Sequence, residues 1–369
     1  MSPDPKENIK RMILEAQKTE KIPEKLWYLD YFIRDPFDIQ DESKIKNFYH
    51  NQEEIQEEIA KDIGYAIKGT IGNIAIVGNQ GMGKTIFFDL LSLVISDLKQ
   101  TNREFEAVKF VTCREIDEEN ISNFMDNNVL VLDDCTVFEE AIFYIQRLRK
   151  TNHLIISFWN PISLEPIIYE EKYRSIFDKL LFLKPIEDLD QLILFLELRL
   201  KFVNSTKNLS DLINNDMLSL ILEYSKGIPR AILEICQYIF VEKFRRGVSS
   251  IKEEFINLCL ENLGYKLSGG ELPNAIKKTA KEICNYYIQY QNYIKSTDIK
   301  EGIGRDISTI NKHLTILESQ KLIERSEYDG RGKHFRPKFA LFVQLTGYRD
   351  KKGIIDEILI KLKTIKSQL

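Results

Sequence analysis

At 369 residues, 43% of them hydrophobic and 29% charged, the chain has ordinary globular composition and length for two or three domains, since single cores stop growing near ~250 residues. A formal net charge of -4 excludes a protein that coats nucleic acid indiscriminately, and the apolar runs fall far short of the ~18 residues that a membrane span needs. The charged start MSPDPKENIKRM lacks a secretory apolar segment, so a cytoplasmic location is expected, and Cys113, Cys135, Cys236, Cys259 and Cys284 read as reduced thiols.

In chain order, residues 1–30 form a candidate N-terminal helical segment. From 31 to 185 the runs IGNIAIV, AVKFVT, NVLVLDD, HLIISFW and KLLFL alternate with amphipathic stretches, which predicts a parallel sheet with crossover helices. Over 186–266 helical periodicity takes over, as in LDQLILFLELRLKFV and PRAILEICQYIFVEKF, and predicts a helical subdomain. The break Leu267-Ser268-Gly269-Gly270 sets off a third unit at 271–345, and 350–369 is expected to be a terminal helix.

Gly78-Asn79-Gln80-Gly81-Met82-Gly83-Lys84-Thr85 fits G-x-x-x-x-G-K-[ST], with strand IAIV before it and helix TIFFDLLSLVISDL, opened by Ile86, after it. Glycines leave backbone N–H groups uncovered for a polyphosphate, and a helix amino terminus adds partial positive charge. Lys84 is then expected at the β- and γ-phosphates of ATP or ADP, and Thr85 at Mg²⁺. The bland alternative is a glycine turn with an incidental lysine.

Val129-Leu130-Val131-Leu132-Asp133-Asp134 is an apolar strand ending in acids, which would put Asp133 on the metal side and Asp134 where attacking water is polarised. The competing reading is two solvated acids capping a strand. Asn160 closes HLIISFWN before Pro161 and is a candidate for holding the lytic water, or else simply starts a turn.

In the last third, helices are expected at 275–289, 297–301 and 306–320, the last with Asp306 as N-cap and Ile307, Ile310, Leu314 and Leu317 as its apolar stripe. Ser308, Thr309, Asn311, Lys312 and His313 fall on the opposite face. Asp329-Gly330 then marks a hairpin. Three helices and a hairpin in this order resemble a winged helix-turn-helix, with the third helix suited to a major groove. Arg331, Lys333, Arg336 and Lys338 stand among residues 331–340 with no acid, so this window carries +4 against -4 for the whole chain. That contrast is the electrostatic footprint of a local duplex DNA contact, although many winged helices contact protein instead.

Together, the P-loop, the acidic strand, Asn160 and the helical stretch after them resemble AAA+ ATPases, most closely the archaeal origin-recognition initiator group and related DNA-associated ATPases. Arg34-Asp35-Pro36-Phe37 resembles that group's lead-in. Phe48-Tyr49-His50-Asn51-Gln52-Glu53-Glu54-Ile55 is similar to the segment lining its adenine pocket, with Asn51 and Gln52 where the family has arginine. Arg174 is similar to an intersubunit arginine of the family. Gly227-Ile228-Pro229-Arg230 resembles the lid turn that aims its arginine at the γ-phosphate. The resemblance implies an α/β P-loop NTPase of the AAA+ type with a helical lid and a C-terminal winged helix-turn-helix. It further implies slow ATP hydrolysis, duplex DNA as partner, and a homo-oligomer or partner ATPase. The Asp133-Asp134 pair also resembles the STAND class of signalling NTPases, whereas Asn160 departs from it, since STAND proteins usually place arginine there.

Overall fold

The computed structural model describes residues 52–202, 208–248, 250–326, 334–347 and 353–367. The N-terminal segment, residues 34–37 and 48–51, and Asp329, Gly330, Arg331 and Lys333 lie outside them.

Helix α1 (Glu53–Ile67) buries Ile55, Ile59, Ile63 and Ala66 at helical spacing. After it come β1 (Gly72–Val77), α2 (Lys84–Thr101), β2 (Val108–Thr112), β3 (Val129–Cys135), α3 (Phe138–Leu148), β4 (Leu154–Trp159), α4 (Glu165–Tyr169) and β5 (Lys179–Phe182). The strands pair in parallel in the order β2-β3-β4-β1-β5, and they are the five runs expected from the sequence. Strands β3 and β4 are almost continuously apolar because helices cover both faces of a parallel sheet. Such a sheet gathers the residues that follow its strands along one edge, where open α/β folds bind ligands. Here that edge carries the P-loop after β1, the acids of β3 and Asn160 after β4.

Among the described residues five helices follow: α5 (Leu189–Phe202), α6 (Leu209–Leu212), α7 (Asn215–Ser225), α8 (Pro229–Arg245) and α9 (Glu253–Leu263). The turn between α7 and α8 is held against the end of the sheet. Gly227 has φ 68°, a side chain there would strike the Ile186 carbonyl, and the Ile186 N–H donates to the Gly227 carbonyl at 2.9 Å. Only glycine meets both demands. Pro229 then opens α8 at a position where its missing N–H costs nothing.

The last third contains α10 (Asn274–Tyr290), β6 (Ile294–Lys295), α11 (Ser296–Ile303), α12 (Ile307–Ser319), β7 (Ile323–Arg325), β8 (His334–Pro337), α13 (Phe339–Gln344) and α14 (Ile354–Lys366). Its strands form an antiparallel sheet in the order β6-β8-β7. Asp306 caps α12 as expected, accepting the N–H groups of Ser308 and Thr309. Ile310, Leu314 and Leu317 are buried, but Ile307, in the first position of the helix, is 37% exposed and falls off the expected stripe.

This part docks on the parallel-sheet core. Lys281 of α10 pairs with Glu165 of α4 at 2.5 Å, and α14 packs on α4 and β5. All five cysteines are buried and free. Among the described residues, no helix is long and apolar enough to cross a membrane.

Candidate functional site

The loop between β1 and α2 bends through Gly81 (φ 82°) and Gly83 (φ 86°), the latter in the left-handed region just before the helix begins at Lys84. Lys84 Nζ donates to the carbonyls of Gly78 (2.7 Å) and Asn79 (3.0 Å), so the cation lies curled over its own loop. Burial pushes its pKa down to about 8, against the opposing pull of Asp133 and Asp134. A desolvated cation beside a glycine loop and a helix amino terminus suits a ligand carrying anionic charge. Met82 is buried, Ile86 half-buried, and Thr85 leaves its hydroxyl exposed on the first turn of α2.

Asp133 is buried at the end of β3. Next to it the register between β3 and β4 slips: Leu132 faces Ser157, but Cys135 faces Trp159, so three steps on β3 match two on β4. The bulge leaves Asp134 at φ 54°, a strained conformation for a residue with a side chain. Its Oδ2 accepts from Arg114 Nε at 2.6 Å, and burial raises its pKa while Arg114 opposes the rise. Arg114 reaches further: its Nη2 donates to the Thr136 hydroxyl (3.2 Å) and to the Ile288 carbonyl in the last turn of α10 (2.8 Å). Sequence reading missed Arg114, although a lone arginine directly after strand β2 was a usable signal.

Asn160 is buried, with its Oδ1 accepting from the Ile162 N–H at 3.3 Å. Its Nδ2 and the Oδ1 of Asn79 are buried polar atoms without partners among the described residues. Buried polar groups are rarely left so, and an orphan donor between the P-loop and the acids suits an anion or a water. The residues present therefore fit a nucleotide with Mg²⁺, which Thr85 and Asp133 would hold against the phosphates.

Arg230 is brought to the loop from α8: its backbone N–H donates to the Gly81 carbonyl at 3.3 Å. Its guanidinium lies 4.8 Å from the ring centre of Phe339, the first residue of α13. A methyl group at Gly81 would collide with the Phe339 ring and come within 2.8 Å of the Arg230 Cβ. The last third of the chain thus caps the P-loop through one aromatic ring, a contact with no motif in the sequence. Arg174 is not brought into this cluster by any contact; its Nη2 donates to the Ile168 carbonyl at 3.4 Å and its Nε is buried without a partner among the described residues. Gln52 binds the Lys184 backbone through both ends of its amide, at 2.6 and 3.0 Å, and borders a cavity of about 270 Å³ with Ile55 and Pro185.

On α12, Asn311 and Lys312 are exposed, whereas the hydroxyls of Ser308 and Thr309 both donate to Asp306 at 2.6 Å. His313 corrects the expected outer face: it is buried, and its Nδ1 bonds the Thr279 hydroxyl at 2.8 Å, because position 313 rotates toward α10 beside Leu314. Arg336 pairs with Glu324 on the adjoining strand and lies 5.3 Å from the Tyr293 ring, so part of its charge is answered within the sheet.

No family model matches the chain, and no curated protein matches it in sequence. Among solved structures, an ORC1 protein of Aeropyrum pernix in complex with DNA is 14% identical, with 90% of this chain and 99% of that chain covered and a TM-score of 0.47. An ORC2 protein of the same organism, in ADPNP and ADP complexes, is 13% identical over 92% and 99%, with a TM-score of 0.45. The RuvB Holliday junction branch migration motor of Thermotoga maritima is 13% identical over 82% and 96%, with a TM-score of 0.42.

Proposed function

We propose that this chain is an ATP-binding and hydrolysing protein of the AAA+ type that couples its nucleotide state to duplex DNA binding, as a replication initiator or DNA loader would. The observation that carries the reading is the convergence of Lys84, Asp133, the orphan Nδ2 of Asn160 and Arg230 around one glycine loop at the carboxyl edge of the sheet. Backbone N–H groups and Lys84 would bind the polyphosphate, and Thr85 and Asp133 would hold a Mg²⁺ ion that supplies charge neutralisation there. Asn160 would donate to the terminal phosphate or to the attacking water. Asp134 would orient that water once Arg114 lets it go.

The order α10, α11, α12 and the sheet β6-β8-β7 supports a winged helix with α12 as the groove-reading element, offering Asn311 and Lys312 to base edges. Ser308, Thr309 and Arg336, all engaged within the chain, suit backbone positioning at most. Arg331 and Lys333 remain the wing-tip candidates. A second reading has a specific observation behind it: Phe339 over Arg230 and Arg114 on the Ile288 carbonyl tie the last third of the chain to the site, as a STAND-type switch held shut would require.

Titration calorimetry and turnover with ATP and Mg²⁺ test the proposal, with wild type and Lys84→Ala compared. Binding and turnover by wild type, lost in a folded Lys84→Ala, are expected; equal affinity in both would sink the P-loop assignment. Turnover per chain that rises with protein concentration favours the oligomeric AAA+ reading over the monomeric switch.

A further inference from the structure

We propose that helix α14 forms one wall of the nucleoside end of this site, so that nucleotide binding and docking of the C-terminal segment are linked. The inference rests on the P-loop reading above and adds where the nucleoside goes. In the strand order β2-β3-β4-β1-β5, the acids and Asn160 lie on one flank of β1, the side of β4 and β3. A nucleotide whose terminal phosphate lies toward them must run its nucleoside over the start of the loop toward β5. A cavity of about 560 Å³ occupies that flank, beginning at Gly78 and Asn79 and continuing past Phe182 and Leu183 at the end of β5. Its size falls in the range of small-molecule sites.

The wall facing β5 comes from the other end of the chain: Leu359 and Lys363 of α14, with Thr346 and Asp356 beside them. That wall is braced. Asp356 accepts the N–H groups of Gly347 and of Gly353, the latter at 3.0 Å. Lys363 Nζ lies 5.6 Å from the Phe182 ring centre, and Lys361 Nζ donates to the Tyr169 hydroxyl of α4 at 3.4 Å, so the helix is held to β5 and to α4. Phe182, Leu183 and Leu359 offer apolar faces to a flat base, and the Lys363 ammonium offers a cation to the ribose or the α-phosphate. Because the base would rest partly on α14, its binding stabilises the docked helix by the same free energy with which the helix stabilises the base.

The test compares ATP with inorganic tripolyphosphate, each with Mg²⁺, on the full chain. Leu359→Trp fills the cavity from the α14 side and should weaken ATP binding by about tenfold, ~1.4 kcal/mol, while tripolyphosphate affinity stays within roughly twofold. Lys363→Ala, at an exposed position, should weaken ATP in the same selective way by a smaller factor. Lys84→Ala should weaken both ligands. Hydrogen exchange should slow at residues 354–366 with ATP and not with tripolyphosphate. If Leu359→Trp and Lys363→Ala change neither ligand, or both alike, and ATP leaves exchange in α14 unchanged, the wall is refuted while the P-loop reading survives on Lys84→Ala. If wild type binds neither ligand, both fall together.

Discussion

The depressed Lys84 ammonium makes ATP affinity depend on pH in a way the geometry fixes. With a pKa of about 8 in the free protein, Lys84 is mostly charged at pH 7.5 and mostly neutral at pH 9. Polyphosphate binds the charged form, so the apparent dissociation constant scales as one plus the ratio of neutral to charged lysine. That ratio is about 0.3 at pH 7.5 and about 10 at pH 9, so binding should weaken roughly eightfold across the interval. The sign follows from the cause: burial lowers the pKa of the free site, the bound phosphates raise it again, and ATP therefore draws in a proton above pH 8. Calorimetry at pH 9 in two buffers of different ionisation heat should show uptake of close to one proton per ATP, falling to about a quarter of a proton at pH 7.5. Equal affinity at both pH values, with heats independent of the buffer, would refute a desolvated Lys84 as the phosphate ligand.

Other outcomes follow from the same contacts. Asp134→Asn should keep ATP affinity within about twofold and slow turnover by ~10²-fold or more, since a positioned base contributes 10²–10⁴; unchanged steady-state turnover would move that role to another residue. Phe339→Ala removes the ring over Arg230, a contact worth ~0.5–2 kcal/mol, and should speed nucleotide release in stopped-flow measurements with a fluorescent ATP analogue; an unchanged off-rate would mean that the cap does not gate the loop. Asn311→Ala should erode discrimination between duplexes by ~1–3 kcal/mol if it makes a bidentate base contact, read by anisotropy on a selected and a scrambled site. His313→Ala should instead lower thermal stability and leave DNA affinity alone, because it strands the Thr279 hydroxyl. Burial lowers the His313 pKa, so the unfolded chain binds the proton first and stability should fall as pH drops below the ordinary histidine range.

The parallel sheet was legible because each of its strands is a short apolar run closed by turn residues, and period and length alone separate IGNIAIV or NVLVLDD from the amphipathic helices between them. The P-loop was legible because its chemistry needs particular residues at fixed spacing. Asp306 as a cap was readable for a local reason of the same kind, whereas Gly227 in its turn came only with the family resemblance. What escaped depends on residues far apart in the chain. His313 looked outward on a helical wheel, yet Thr279 waits for it on α10. Arg114 had no motif, and its partners Asp134 and Ile288 stand 154 positions apart in the chain. Phe339 over Gly81 and Lys363 beside Phe182 belong to this class too: tertiary docking makes them neighbours, and no periodicity announces it.

The coupling at the centre of this account is tested most directly by the affinity of the full chain for duplex DNA, measured by anisotropy at one salt concentration with ATP, with ADP and with no nucleotide. If Phe339, Arg230 and Arg114 transmit the state of the loop to the last third of the chain, affinity should differ between nucleotide states by about fivefold or more, the lower end of typical coupling. Identical affinity in all three states, in protein shown to bind ATP, would contradict it.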